Sequence, residues 1–424
     1  MRPVTPRGFR DVLAAESAER RAIASALESC FESAGYGLVE TPVLETRQAL
    51  EAGAGSTLEG RALFVQDTDG ALLARRPEMT VPIARLAASR LRDVTGPKRL
   101  GYVADVFREQ ASLRGQARQF TQAGVELIGA GGPAADAEVV TVLVGALDAV
   151  GLEDFTVAVG TVAVLLALLD AAGSNAAGAG AAWRGAVLDA AHHRDLVEFS
   201  RLVAAPGIDT DVQRALQEVP RIRGGADALE RCRALVEPCG CGAAVDDLAR
   251  TMELLEASGV TGRVIVDFGV VRDFGYYTGL IVEAYAPGLG VPLGGGGRYD
   301  GVLAAFDAPA QAAGFALGIE RLHIALADQG CLPAVRGLDA VVGAADPAAA
   351  LAACARLRSA GWRVAPACGE PRSVLPRLAL ESAAESALWA EGACLGIVGP
   401  AGDLTGALDP MDLPAPPTLE RMGS

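Results

Sequence analysis

Lysine is almost missing from this chain: Lys98 is the single one among 424 residues, and arginine carries the rest of the positive charge. With a formal net charge of −15, this composition argues against a general nucleic-acid binder, whose phosphate contacts need the opposite balance. Histidine is nearly as scarce, with only His192, His193 and His323. The eight cysteines are scattered, and the closest pair, Cys239 and Cys241, has the wrong spacing for a zinc knuckle. No structural metal is therefore expected, and the thiols read as reduced and mostly buried. No run of 18 apolar residues is free of charge. The richest region, Val139 to Leu169, is interrupted by Asp148, Glu153 and Asp154, so core elements are expected there and not a membrane span. The opening MRPVTPRGFRD lacks the apolar stretch of a secretory signal, which makes a cytoplasmic location the expectation.

What is present begins with length: 424 residues suffice for two or three domains with ample core. The stretch from Tyr102 to Gly129 organises the rest. Two runs of alternating apolar and polar residues flank an arginine-bearing connection, which reads as two strands joined by a long hairpin loop. In the second run the period of two puts Phe120, Gln122, Gly124 and Glu126 on one face, and Thr121, Ala123, Val125 and Leu127 on the other. Gly124 leaves room between an amide and a carboxylate, while Arg108 ends the first strand and Arg118 opens the second. Such a face suits a zwitterion, or an amine-bearing ligand beside a phosphate. A merely solvated sheet face would show the same alternation.

In chain order, Ala15 to Ser33 has helical spacing and Gly35 stops it. Tyr36 to Leu44 reads as a strand, placed at an edge or interface by Pro42. A hairpin turn at Asp69-Gly70 precedes a strand ending in Arg76-Pro77-Glu78-Met79-Thr80, with a helix from Val81 to Arg92. Glu78 and Thr80 beside a helix start could hold a ligand or simply cap the helix. From about Asp154 the texture turns to Ala, Leu and Gly at helical spacing as far as Thr261, with a low-complexity tract and no evident chemistry; His192-His193 there suit a solvated face. Strand character returns at Val264 to Phe268. The stretch VVRDFGYYTGLIVEAY follows, then a run of four glycines in LGGGGRYD leading to a helix, then GFALGIER passing from strand to helix. Arg108, Arg272 and Arg321 all sit beside glycines or at element ends, where they could reach one phosphate-bearing ligand.

PRGFRD, TPVLE, RPEMT, the FR and RQFTQAGVE hairpin, YYTG, GGGRYDG and GFALGIERL occur here in one order, and over residues 1 to about 325 this order resembles the core of class II aminoacyl-tRNA synthetases of the histidyl type. The resemblance implies an α+β fold, with an antiparallel sheet of six or more strands flanked by helices. The core would occupy residues 1–153 and 262–333, interrupted by a mostly helical insertion over 154–261, with a small C-terminal α/β domain and tail over 334–424. It further implies a dimer built on the Pro42 region. Its histidine site would be formed by Glu78, Thr80, Arg108, Gln122, Glu126, Arg272, Tyr276 and Tyr277, and its nucleotide-phosphate site by Arg108, Arg118 and Arg321. No metal or cofactor is implied.

Two kinds of protein share that core: histidyl-tRNA synthetases, and regulatory subunits of ATP phosphoribosyltransferase. The latter sense histidine as effector within a hetero-octamer with the short catalytic subunit. Gln110 replaces the acid expected after the hairpin arginine, and RDFGYY puts Gly275 where an acid is expected before the tyrosines; both departures favour the regulator. The C-terminal segment reads as β-α-β-α-β, with its second helix running to about Ala390. From Leu338 to Ser424 it holds six arginines and no lysine against ten carboxylates, a net of −4, so it resembles an anticodon-binding domain that has lost its RNA surface.

Overall fold

The computed structural model describes residues 4–54, 62–109, 117–173, 180–192, 195–204, 207–270 and 277–408. Gln110, His193, Arg272, Gly275 and Tyr276 lie outside the described residues, as do the tract 174–179 and the tail from 409. The chain divides into two compact units, Met1–Pro333 and Ala334–Ser424.

In the first unit, helix α1 (Ala14–Ser33) forms because Ile23, Leu27 and Phe31 recur on one stripe and are all buried. Gly35 ends it in the left-handed conformation, at φ 85. The run from Tyr36 to Leu44 is not one strand but two short ones, β1 (Gly37–Leu38) and β2 (Leu44–Thr46). Thr41 and Pro42 break it, and their carbonyls accept hydrogen bonds from the buried Arg76 guanidinium at 2.6 and 3.4 Å. Lying between the strands and outside any ladder, these carbonyls are satisfied by a side chain instead. Helix α2 (Arg47–Ala54) precedes the hairpin of β3 (Leu63–Gln66) and β4 (Leu72–Arg75), and β2, β4 and β3 make a small antiparallel sheet. Helix α3 (Thr80–Arg90) follows.

The large sheet is built around β5 (Lys98–Phe107) and β6 (Gln119–Ile128), which pair antiparallel with Tyr102 opposite Gly124. Helix α4 (Gly132–Ala149) and β7 (Thr156–Thr161) come next. Although β7 falls in the segment expected to be helical, it is a strand of this sheet, and the helices run from Val162. They are α5 (Val162–Gly173), α6 (Ala181–His192), α7 (Leu196–Val203), α8 (Thr210–Glu218), α9 (Asp227–Val236) and α10 (Asp246–Ala257), with the short β8 (Arg223–Gly224) between α8 and α9. Strands β9 (Val264–Asp267), β10 (Leu280–Tyr285), β11 (Gly294–Arg298) and β12 (Ala312–Gly318), then helix α11 (Ile319–Gln329), complete the unit. The helix expected after Asp300 is a single 3-10 turn, Leu303–Phe306.

Among the described residues nine strands join in the order β1-β5-β6-β12-β11-β10-β7-β9-β8, and the six from β5 to β7 are antiparallel throughout. One face packs Ala123, Val125 and Leu127 against Ile23, Leu27, Leu143 and Leu322 of the helices, in the main core. On the opposite face Tyr102, Val106 and Ile128 meet Met79, Ile83 and Tyr299.

In the second unit β13 (Leu338–Ala344), α12 (Pro347–Ser359), β14 (Val364–Pro366), α13 (Leu375–Glu381), β15 (Ala384–Glu391), β16 (Cys394–Val398) and β17 (Leu404–Leu408) give the order β14-β13-β15-β16-β17. The second helix thus stops at Glu381, short of the expected Ala390, and the Ala-rich segment beyond it is a strand. β15 runs parallel to β13 and is buried on both sides, Leu388 and Ala390 in one cluster and Ala387 in the other. Tertiary pairing there overrides the helix preference of alanine.

Candidate functional site

The site grows from the start of α3. Arg76 is pinned to the Asp105 carbonyl of β5 at 2.8 Å as well as to Thr41, so the turn Pro77-Glu78-Met79 is held against the sheet. Glu78 then accepts from the backbone N–H groups of Thr80 and Val81 at 2.6 and 2.9 Å. That is the capping role, and it fixes the carboxylate without using up its acceptor capacity. Burial pushes the Glu78 carboxyl above its ordinary range, against the pull of those two N–H groups.

Thr80 turns its hydroxyl the other way and donates to Glu126 at 2.7 Å. The second oxygen of Glu126 accepts from the Tyr299 hydroxyl. Glu126 is 1 % exposed, and burial drives its carboxyl up to about 8, with the two hydroxyl donors opposing and the Glu78 charge adding to the rise. Tyr299 is brought here by the strand order: β12 pairs Gly314 with Glu126, and β11 pairs Gly297 with Gly314. A Cβ at 314 would lie 2.0 Å from the Glu126 carboxylate, so only glycine lets this acid stand on the sheet.

Alternation along β6 places Gln122 and Glu126 on either side of Gly124, as the period of two requires. A Cβ at 124 would meet the Phe315 carbonyl at 2.1 Å and the Tyr102 hydroxyl at 2.6 Å. Tyr102 therefore lays its hydroxyl over Gly124, between the amide and the carboxylate. Two buried polar atoms here have no hydrogen-bond partner, the Tyr102 Oη and the Gln122 Oε1. Burial, then Glu126, Glu78 and Tyr277, hold the Tyr102 phenol protonated. Half-buried Tyr277 closes the floor, its ring 2.9 Å from where a Cβ on Gly297 would be.

The arginines take other positions. Arg108 donates from Nε to the Pro77 carbonyl at 2.6 Å, and its guanidinium lies 5.3 Å from the centre of the Phe120 ring. Arg118 faces the N-terminal segment: it donates to the Arg7 carbonyl at 3.1 Å, pairs with Glu109 at 2.5 Å, and covers the Phe9 ring at 5.4 Å. PRGFRD is thereby stitched onto the hairpin. Arg321 donates to the Pro292 carbonyl at 2.7 Å.

The structure thus brings together Glu78, Thr80, Gln122, Glu126 and Tyr277, and leaves Arg118 and Arg321 bound to backbone carbonyls. It also adds Tyr299 and Tyr102, which the sequence reading passed over. Tyr299 had a visible signal in the glycine run before it. Tyr102 had none, because alternation with Leu100 and Val106 makes it look like core. Chemically the centre is rich in acceptors: two carboxyls and an unpartnered amide oxygen call for a ligand bearing several N–H donors. Among the described residues no group of three or more His, Cys, Asp or Glu could hold a metal ion.

Comparison with known proteins gives a consistent result. Residues 8–322 match the sequence model of the histidyl-tRNA synthetase family. An ATP phosphoribosyltransferase regulatory subunit of Moorella thermoacetica is 42% identical over 360 residues, 85% of this chain and 90% of that protein. The protein of the same name from Symbiobacterium thermophilum is 42% identical over 371 residues, covering 85% and 91%. A crystal structure from Bacillus halodurans, described as an ATP phosphoribosyltransferase regulatory subunit/histidyl-tRNA synthetase, superposes with a TM-score of 0.80 at 30% identity, over 92% of this chain and 99% of that one.

Proposed function

The chain belongs to the family of ATP phosphoribosyltransferase regulatory subunits, built on the histidyl-tRNA synthetase core, and from that premise we propose that it is the histidine-sensing, non-catalytic subunit of this enzyme. It works in the cytoplasm with the short catalytic subunit at the first step of histidine biosynthesis. One observation carries the ligand: Glu78 and Glu126 lie close enough for their charges to interact, the buried Gln122 Oε1 on the same face of β6 as Glu126 has no partner, and burial disfavours the charge of both carboxyls. Histidine supplies an ammonium and a ring N–H to the same place, satisfying both the orphaned amide and the acids. By the synthetase pattern Arg108 and Arg272 are assigned to the ligand carboxylate, and Thr80 and Tyr276 to the rest of the histidine site. The synthetase pattern assigns Arg108, Arg118 and Arg321 to a nucleotide-phosphate site, which we read as vestigial here, with Arg118 and Arg321 donating to the Arg7 and Pro292 carbonyls.

Feedback then follows from linkage: histidine binds one arrangement of the hetero-octamer better, and a coupling of about 1–3 kcal/mol suffices. The homodimer within that assembly uses the strip around Pro42, where Leu38, Val43, Leu44, Phe64 and Leu72 are exposed, between 39% and 49% of each. Exposed large apolar side chains on the strands flanking Pro42 suit an interface. The test is inhibition of the assembled enzyme by histidine with Glu126→Ala in place of the wild type. Assembly with lost inhibition is expected, and inhibition at the wild-type histidine concentration would show that the pocket is misassigned. A second reading, a histidyl-tRNA synthetase, is consistent with the double description of the Bacillus halodurans structure. Histidine-dependent ATP–pyrophosphate exchange by this chain alone separates the two, since only a synthetase forms the adenylate.

A further inference from the structure

One polar atom at the centre of the pocket has no role in the reading above: the Tyr102 hydroxyl. Its side chain is 1 % exposed and its Oη is unpartnered. Leaving a hydroxyl buried and unsatisfied costs stability, and phenylalanine would fill the same space between Met79, Ile83 and Tyr299 without that cost. The sheet is also shaped for it. Gly124, opposite Tyr102 in the β5–β6 register, has no side chain exactly under the hydroxyl, where a Cβ would come within 2.6 Å of it. Gln122 and Glu126 stand on either side. The hydroxyl therefore points to the place where a ligand held by those two groups must lie.

We propose that Tyr102 is a specificity-determining residue, whose hydroxyl hydrogen-bonds the ring of the bound amino acid and so selects a nitrogen heterocycle over a ring of the same size without one. The inference rests on the histidine reading of the site. A site that hydrogen-bonds its ligand rejects an analogue lacking the group far more strongly than an apolar pocket rejects a misfit, because the buried polar atom is left bare. Glu126 alone would recognise an N–H. A second polar contact beside it tells which ring carries that N–H.

The experiment is calorimetric titration of the full chain, wild type and Tyr102→Phe, with histidine and with β-(2-thienyl)alanine, whose five-membered ring has no nitrogen. The wild type is expected to favour histidine by about 100-fold or more. Tyr102→Phe is expected to lose about 10-fold or more in histidine affinity while its affinity for the thienyl analogue changes less than about threefold. The proposal is overturned if the variant binds histidine within threefold of the wild type, or if both ligands weaken together, as they would from a distorted pocket. A wild type that binds neither ligand would instead overturn the histidine reading itself. Thermal unfolding of the variant checks that it folds, and an unchanged or raised midpoint is expected from removing an unsatisfied hydroxyl.

Discussion

Replacing Glu126 with glutamine should stabilise the unliganded protein, and by more as the pH rises. The carboxyl takes its proton at about 8 in the folded chain against an ordinary 4.5. Between those values the native state holds a proton that the unfolded state has released. Wild-type stability therefore falls as pH rises from 4.5 and levels off above about 8. Each pH unit in that window costs about 1.4 kcal/mol, so the gap between Glu126→Gln and wild type should widen by roughly 3–4 kcal/mol from pH 5 to pH 8. The amide has nothing to titrate, and groups common to both proteins cancel in the difference. Urea unfolding of the two proteins at half-unit pH intervals measures it. A difference that stays constant, or narrows with rising pH, would refute the reasoning, because it would mean the acid is charged and satisfied without a ligand. The same variant should bind histidine more weakly, which is the usual relation between a site's stability and its activity.

Two further outcomes follow from the geometry. Gly314→Ala puts a methyl 2.0 Å from the Glu126 carboxylate and 2.3 Å from the Val125 carbonyl, so histidine binding should be lost in calorimetry, with a destabilisation of about 1–3 kcal/mol in urea unfolding. Phe64→Asp on the exposed strip of β3 should convert the isolated chain from dimer to monomer in sedimentation, with little change in the melting of the monomer, since Phe64 is 49% exposed.

Much of the fold could be read from the sequence where periodicity and pairing agree. Alternation along β6 assigns Gln122, Gly124 and Glu126 to one face before any neighbour is known, and the main core on the other side follows from the same period. It fails where a distant strand decides. Tyr299 reaches Glu126 only through β12 and β11, across 173 residues of chain, and no local pattern carries that. Between Ala384 and Glu391 alanine-rich composition favours a helix, but pairing with β13 buries both faces and a strand results. Pro42 pointed to an edge, and β1 is one; that the run would break in two depended on Arg76 reaching back to its carbonyls. At Glu78 the cap is the role the structure displays, and because each oxygen accepts a single N–H the cap does not exhaust the carboxylate's acceptor capacity.

The glycine floor also bears on how this pocket can change over generations. A glycine codon mutated at one base encodes alanine, valine, serine, cysteine, arginine, aspartate, glutamate or tryptophan, each of which adds at least a Cβ. At 124 and 314 that atom would fall 2.1 and 2.0 Å from atoms already in place. From below, then, the pocket can be destroyed in a single step but not remoulded by small ones. Any drift toward a different ligand is channelled into the walls, through Thr80, Tyr102, Gln122 and Tyr299, while the floor acts as a ratchet that holds the size and depth of the site where they are.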